Sequence, residues 1–97
     1  MDDKENTMIR NWNNISLAEM QRLVNSGLVW RLEGHMGREA MRLIEAGMLM
    51  LGREGCRDYW GNYVPSRTEV KTGTKGSRRY VADRFGAGRA KYLASIG

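Results

Sequence analysis

The sequence has one cysteine, Cys56, so no intrachain disulfide can form. It also has one histidine, His35, and that pair falls short of the ligand count of a structural zinc site. No apolar run exceeds the four residues Met48-Leu49-Met50-Leu51, far too short to span a bilayer. The opening Met-Asp-Asp-Lys-Glu is acidic and polar, unlike a secretory signal. These absences predict no membrane partner and place the chain in the cytosol. No Cys–His or Ser–His–Asp arrangement is defensible from the spacing, and the expectation is a protein that is not an enzyme and has no cofactor, no metal site and no catalytic residue.

What is present is charge, and it is unevenly placed. The 97 residues carry a net charge of +5, with 28% charged and 41% hydrophobic residues, a globular balance. Residues 1–50 sum to −1 and residues 51–97 to +6, and arginine outnumbers lysine twelve to four. Arginine offers a rigid bidentate fork for phosphate or carboxylate, so the second half suits an anionic partner: DNA or RNA, a phosphorylated ligand or an acidic protein face. A merely solvated basic surface is the alternative. A chain this short buries only about two-thirds of its unfolded surface, which makes a homodimer or a tightly held partner a natural source of further burial.

Along the chain, residues 1–14 read as a flexible lead with Trp12 as the one bulky anchor, and residues 15–97 as a single small domain. Ser16 and Glu19 form a capping box, with Ile15 and Met20 placed as a hydrophobic staple. A helix follows, with Leu17, Met20, Leu23 and Val24 as its apolar stripe and Gly27 as its end. Leu28–Leu32 reads as either a short strand or a helical turn. Gly34 and Gly37 each weaken a helix by about 1 kcal/mol relative to Ala, so a clean helix through both is not expected. Met36, Ala40, Leu43 and Ile44 then line one helical face, and Gly47 closes it. A helix-turn-helix motif pivoting on Gly27 is disfavoured against an ordinary αα-hairpin, because Leu23 and Glu33 stand where a small and an apolar residue are needed.

Met48–Leu51 reads as a short buried strand. Cys56–Trp60 and Tyr63–Val70 read as a hairpin through a two-residue turn at Gly61-Asn62, with Tyr59 and Tyr63 able to pair across it. Pro65 confines the second strand to an edge or a bulge. A loop at 71–77 leads to a helix capped by Ser77, which Gly86 and Gly88 interrupt. The expected fold class is therefore α+β: two N-terminal helices, a short antiparallel sheet with a hairpin, and a basic C-terminal helix.

Two residue sets are candidates for function. Arg57, Tyr59, Trp60, Tyr63 and Arg67 gather around the hairpin, where the aromatics are either core or a partner-binding surface. Lys71, Lys75, Arg78, Arg79, Arg84 and Arg89 would track phosphates. The Lys75-Gly76-Ser77 order departs from the Gly-Lys-Ser/Thr that a Walker loop requires, which excludes nucleotide hydrolysis. A weaker anion site survives at the start of that helix, where Arg78 and Arg79 oppose the helix dipole. The alternative there is a simple Arg79–Asp83 pair.

Three blocks, Trp30-Arg31-Leu32-Glu33-Gly34-His35-Met36-Gly37-Arg38, Asp58-Tyr59-Trp60-Gly61-Asn62-Tyr63-Val64-Pro65-Ser66-Arg67 and Gly73-Thr74-Lys75-Gly76-Ser77, resemble a group of small proteins of tailed phages and prophages. The likeness covers roughly residues 16–80. That group carries no assigned biochemistry, so no functional residue transfers. The resemblance implies a mobile-element setting, in which small charged proteins often disarm host defence. The expected function is an anti-defence, anti-CRISPR-like inhibitor that binds a host defence protein or nucleoprotein complex stoichiometrically. The alternative is a small basic nucleic-acid-binding module.

Overall fold

The structure, a computed structural model, describes residues 15–32 and 34–97. The lead at 1–14 lies outside the described residues. Helix α1 spans Leu17–Ser26 and opens as its sequence predicts, the Ser16 hydroxyl accepting from the Glu19 N–H at 3.1 Å. The Glu19 carboxylate turns to Arg22 instead of closing the box. Gly27, at φ 80°, ends the helix, its N–H donating to the Val24 carbonyl. The ambiguous stretch after it is one helical turn, α2, Leu28–Arg31, whose Val29 and Trp30 are buried.

Helix α3 runs over Gly34–Glu45, straight through both glycines, against expectation. Tertiary packing overrides propensity here. Trp30 lies beside Gly37, where an added Cβ would stand 3.6 Å from the ring, and Ala40, Leu43 and Ile44 are buried further along the helix. A Glu39–Arg42 pair forms on the solvent side, and its hydrogen bond holds the Glu39 carboxyl below its usual pKa.

Leu49, Met50 and Leu51 are buried and Met48 partly so, as the composition suggested, but the segment pairs with no strand. The backbone groups of Met50 and Leu51 are satisfied by side chains and a loop. The Gln21 side chain, fully buried, donates to the Met50 carbonyl at 2.9 Å and accepts from the Met50 N–H at 3.0 Å. Leu51 donates to the Gly76 carbonyl and accepts from the Arg67 guanidinium. A primary amide thus does for Met50 what a neighbouring strand would do, and periodicity could not reveal it.

The sheet is smaller than expected. Strands β1, Cys56–Arg57, and β2, Tyr63–Val64, pair antiparallel with Cys56 opposite Val64 and Arg57 opposite Tyr63. The ladder stops one residue before Pro65, which has no N–H to offer. The connection is a three-residue loop, not the two-residue turn expected. Asp58 donates to the Asn62 carbonyl, the Gly61 N–H returns to the Asp58 carbonyl, and Gly61 takes φ 87°. The extra residue places Tyr59 in the loop, so it does not face Tyr63 across the strands.

The C-terminal helix is two helices. Ser77 caps α4, Arg78–Phe85, by accepting from the Tyr80 N–H. Gly86, at φ 100°, breaks the axis, and α5, Ala87–Ser95, packs back on α4. Val81, Ala90, Leu93 and Ile96 join the core built by α1, α3 and the 49–51 segment. Full burial of a side chain such as Ile44 or Leu93 contributes about 1.5–3 kcal/mol.

Two substitutions test this account by urea denaturation. Gln21→Leu keeps apolar bulk but orphans both Met50 groups, at about 1–3 kcal/mol each, so a loss of roughly 2–5 kcal/mol is expected. Gly37→Ala meets only ordinary van der Waals contacts and should stabilise the protein by roughly 0.5–1 kcal/mol.

Candidate functional site: an aromatic hairpin tip and an arginine-lined cleft

The aromatic residues of the hairpin are not core. Tyr59 is 67% exposed, Trp60 73% and Tyr63 52%. Large aromatics left in water on a small domain mark a contact surface more often than a packing accident. The tip is held rigidly. One carboxylate oxygen of Asp58 accepts from the Trp60 N–H at 2.9 Å and from the Asn62 N–H at 2.8 Å. The Tyr59 N–H donates to the Trp30 carbonyl at 2.8 Å, which anchors the loop to α2. The Tyr59 and Trp60 rings meet edge to face with centroids 5.0 Å apart. Beside them runs a shallow groove of about 210 Å³, lined by Trp30, Leu32, Gly37, Arg38 and Met41 together with Asp58, Tyr59 and Trp60.

Arg57 and Tyr63 brace the tip. The Arg57 guanidinium donates to the Gly61 carbonyl at 3.0 Å and lies 5.8 Å from the Tyr63 ring centre. The Tyr63 hydroxyl donates to the Glu69 carboxylate at 2.8 Å, and the same carboxylate accepts from the Ser66 N–H at 2.7 Å. The Ser66 N–H is the main reason that the Glu69 carboxyl lies below its usual value, with Tyr63 adding to it. The Glu69 bond in turn raises the Tyr63 phenol. The close passage of Tyr63 is why residue 55 is glycine: a Cβ there would collide with the phenolic oxygen.

Arg67, placed by sequence with the hairpin, lies elsewhere. It is half-buried, its Nε donating to the Leu51 carbonyl at 2.8 Å and one terminal nitrogen to Asn25 Oδ1 at 2.8 Å. Its side chain helps to line a second, larger cleft of about 690 Å³ with Thr68, Val70, Thr72, Ser77, Arg78, Arg79, Ala82 and Ala94. Burial, then Arg53 and Arg78, lower the Arg67 pKa. Arg53 lies close by because its guanidinium binds the Ile96 carbonyl at 2.8 Å.

The predicted row of phosphate-tracking cations is therefore split. Arg78 and Arg79 face the cleft, and Arg79 also pairs with Asp83 at 2.9 Å. Arg84 instead donates to the Ala46 carbonyl at 3.1 Å and packs on Tyr80, whose hydroxyl donates to the Glu45 carbonyl, so both cap the end of α3. Arg89 stacks over Phe85 at 5.5 Å. Lys71 and Lys75 are exposed on the loop. Sequence reasoning missed Arg53, and it missed the groove floor of Trp30, Leu32, Arg38 and Met41. Only the Trp30-Arg31-Leu32 block hinted at the latter. Among the described residues no group of three or more His, Cys, Asp or Glu side chains could hold a metal ion. No helix among them is long and apolar enough to cross a membrane.

Helices at both ends of the described chain and one two-stranded antiparallel sheet make this a small α+β domain. The chain belongs to a family described as a domain of unknown function (DUF7417), which matches residues 11–62, just over half of its length. No curated protein and no solved structure matches the chain. Every residue lining the aromatic groove falls inside the matched segment, and every residue lining the arginine cleft falls outside it.

The Tyr63–Glu69 clamp gives a pH dependence with a definite sign. The Glu69 pKa is depressed in the folded state, so its contribution is present above the unfolded value, about 4.3, and is lost as pH falls through the lower folded one. The Tyr63 pKa is raised, so its contribution persists below about pH 10 and is lost as pH rises through the higher folded value. Stability measured from pH 7 to pH 3 should fall less steeply in Glu69→Gln than in the parent chain. Trp60→Ala should change stability by no more than about 0.5 kcal/mol, as an exposed position allows.

Proposed function

We propose that the protein is a phage-type anti-defence inhibitor that acts by stoichiometric binding to a host defence protein or nucleoprotein complex, with the hairpin tip as its anchor. The observation that carries this reading is the exposure of Tyr59 and Trp60 on a loop whose backbone N–H groups are all hydrogen-bonded. Rigid exposed aromatics lose little conformational freedom on docking, and Trp and Tyr dominate interface energies. The groove beside them supplies apolar floor for a partner side chain. Arg38 in that groove and Arg57 behind the tip favour a partner face that is acidic or phosphate-bearing. The phage setting rests on the three resembling blocks, the second of which contains the tip.

The test is titration of a reconstituted CRISPR-type defence nuclease, with phage plaquing on defended cells as the cellular readout. Inhibition should be complete at about one inhibitor per target complex, and binding by Trp60→Ala should weaken by roughly 30-fold or more, the loss of a hot-spot residue. Inhibition that multiplies over many turnovers at substoichiometric protein, or a Trp60→Ala variant of full potency, would refute this reading. Retention of bare DNA or RNA with no defence protein would favour the nucleic-acid-binding module instead.

A further inference from the structure

We infer that the cleft between the 66–72 turn and the start of α4 is a binding site for a phosphate group, gripped by Arg67 and Arg78, with Arg53 reinforcing the field and the Thr72 hydroxyl at its wall. Three observations lead there.

The first is uncompensated charge. Among the described residues no carboxylate pairs with Arg53, Arg67 or Arg78; the ion pairs are Glu19–Arg22, Glu39–Arg42 and Asp83–Arg79. The acidic residues nearest in sequence to Arg67 and Arg78 are already engaged. Glu69 is held by Tyr63 and Ser66, and Asp83 by Arg79. The folded chain brings the Arg53, Arg67 and Arg78 charges near one another without a counter-ion, an arrangement that an incoming anion relieves.

The second is preorganisation. The Arg67 guanidinium is fixed by the Leu51 carbonyl and Asn25, and the Arg53 guanidinium by Ile96. All three acceptors are neutral, so they orient the forks without cancelling their charge. Arg78 is exposed and free to close over a ligand.

The third is shape. The cleft, about 690 Å³, is of ligand size. The residues that start α4, Ser77, Arg78 and Arg79, are part of its lining. Several forks arriving from different elements match the tetrahedral oxygens of a phosphate better than a planar carboxylate, which one arginine satisfies.

The inference is independent of the docking role of the aromatic tip. Its test uses the full chain at 50 mM NaCl with three probes: inorganic phosphate, a thymidine mononucleotide and a 12-residue oligothymidylate. Calorimetry on the small probes and fluorescence anisotropy on the oligonucleotide should detect binding. Arg78→Ala should weaken it at least ten-fold, while Lys91→Ala, which removes one charge from an exposed site on α5, should change it less than two-fold. Arg67→Lys keeps the charge and loses the fork, and should weaken binding also. If that variant fails to fold, Arg78→Ala still decides. Equal affinity for all three probes assigns the site to a single phosphate. An oligonucleotide affinity at least 100-fold higher, falling steeply with salt, assigns it to the backbone of a strand. Failure of all three probes to bind would overturn the proposal. So would equal losses in Arg78→Ala and Lys91→Ala, which would reduce the effect to net charge.

Discussion

The Gln21 side chain is the contact on which the rest of this structure depends. It satisfies both backbone groups of Met50 and bonds Asn25 Oδ1 at 3.1 Å. Asn25 also accepts from Arg67 and donates to the Ile96 carbonyl at 2.9 Å. One buried amide on α1 therefore sets the position of the 49–52 segment, the 66–70 turn and the end of α5. Such a network is strong only when every member is satisfied, because each orphaned group in a low-dielectric interior is penalised heavily. The core packs around it rather than beside it: Leu49, Met50, Val24 and Ile96 are all buried on its flanks.

Hydrogen bonds rather than bulk apolar burial also fix the two surfaces of interest. The hairpin has only a two-residue ladder, yet the Asp58 carboxylate and the Tyr63–Glu69 clamp hold it at both ends. The Tyr59 and Trp60 side chains are thereby released from structural duty. In the cleft, the same logic holds guanidinium groups to backbone carbonyls. A short chain with little core to spare has used polar contacts for position and left its aromatic and cationic groups outward.

The legible parts of the fold were those governed by local chemistry. Ser16, Gly27 and Ser77 cap and end helices through contacts within four residues, and their positions follow from spacing alone. The rest was settled at long range. Gly34 and Gly37 argue against a helix until Trp30 covers one of them. Met48–Leu51 has the composition of a strand, and only a glutamine 29 residues away explains why it needs no strand partner. Tyr59 and Trp60 have the composition of core, and an Asx-type turn turns them out. Arg84 and Arg67 look alike in sequence, yet one caps α3 and the other ties the 66–70 turn to Leu51 and Asn25. Charge pattern located the cationic half of the molecule but not which of its arginines converge.

The bonds from Asn25 and Arg53 to the Ile96 carbonyl span 71 and 43 residues. During synthesis that shared acceptor emerges well after both of its donors. Until residue 96 clears the ribosome, Asn25 lacks one of its partners and Arg53 lacks its anchor, so the polar network cannot close by growing outward from the N-terminus. Helices α1 to α3 can form early from local contacts, but the register of the molecule is set in a single late step. Chains with such long-range closures fold more slowly than their helix content suggests and spend that interval with the 49–51 segment uncovered. In this protein the interval of greatest exposure to aggregation therefore runs from the emergence of the 49–51 segment to that of residue 96.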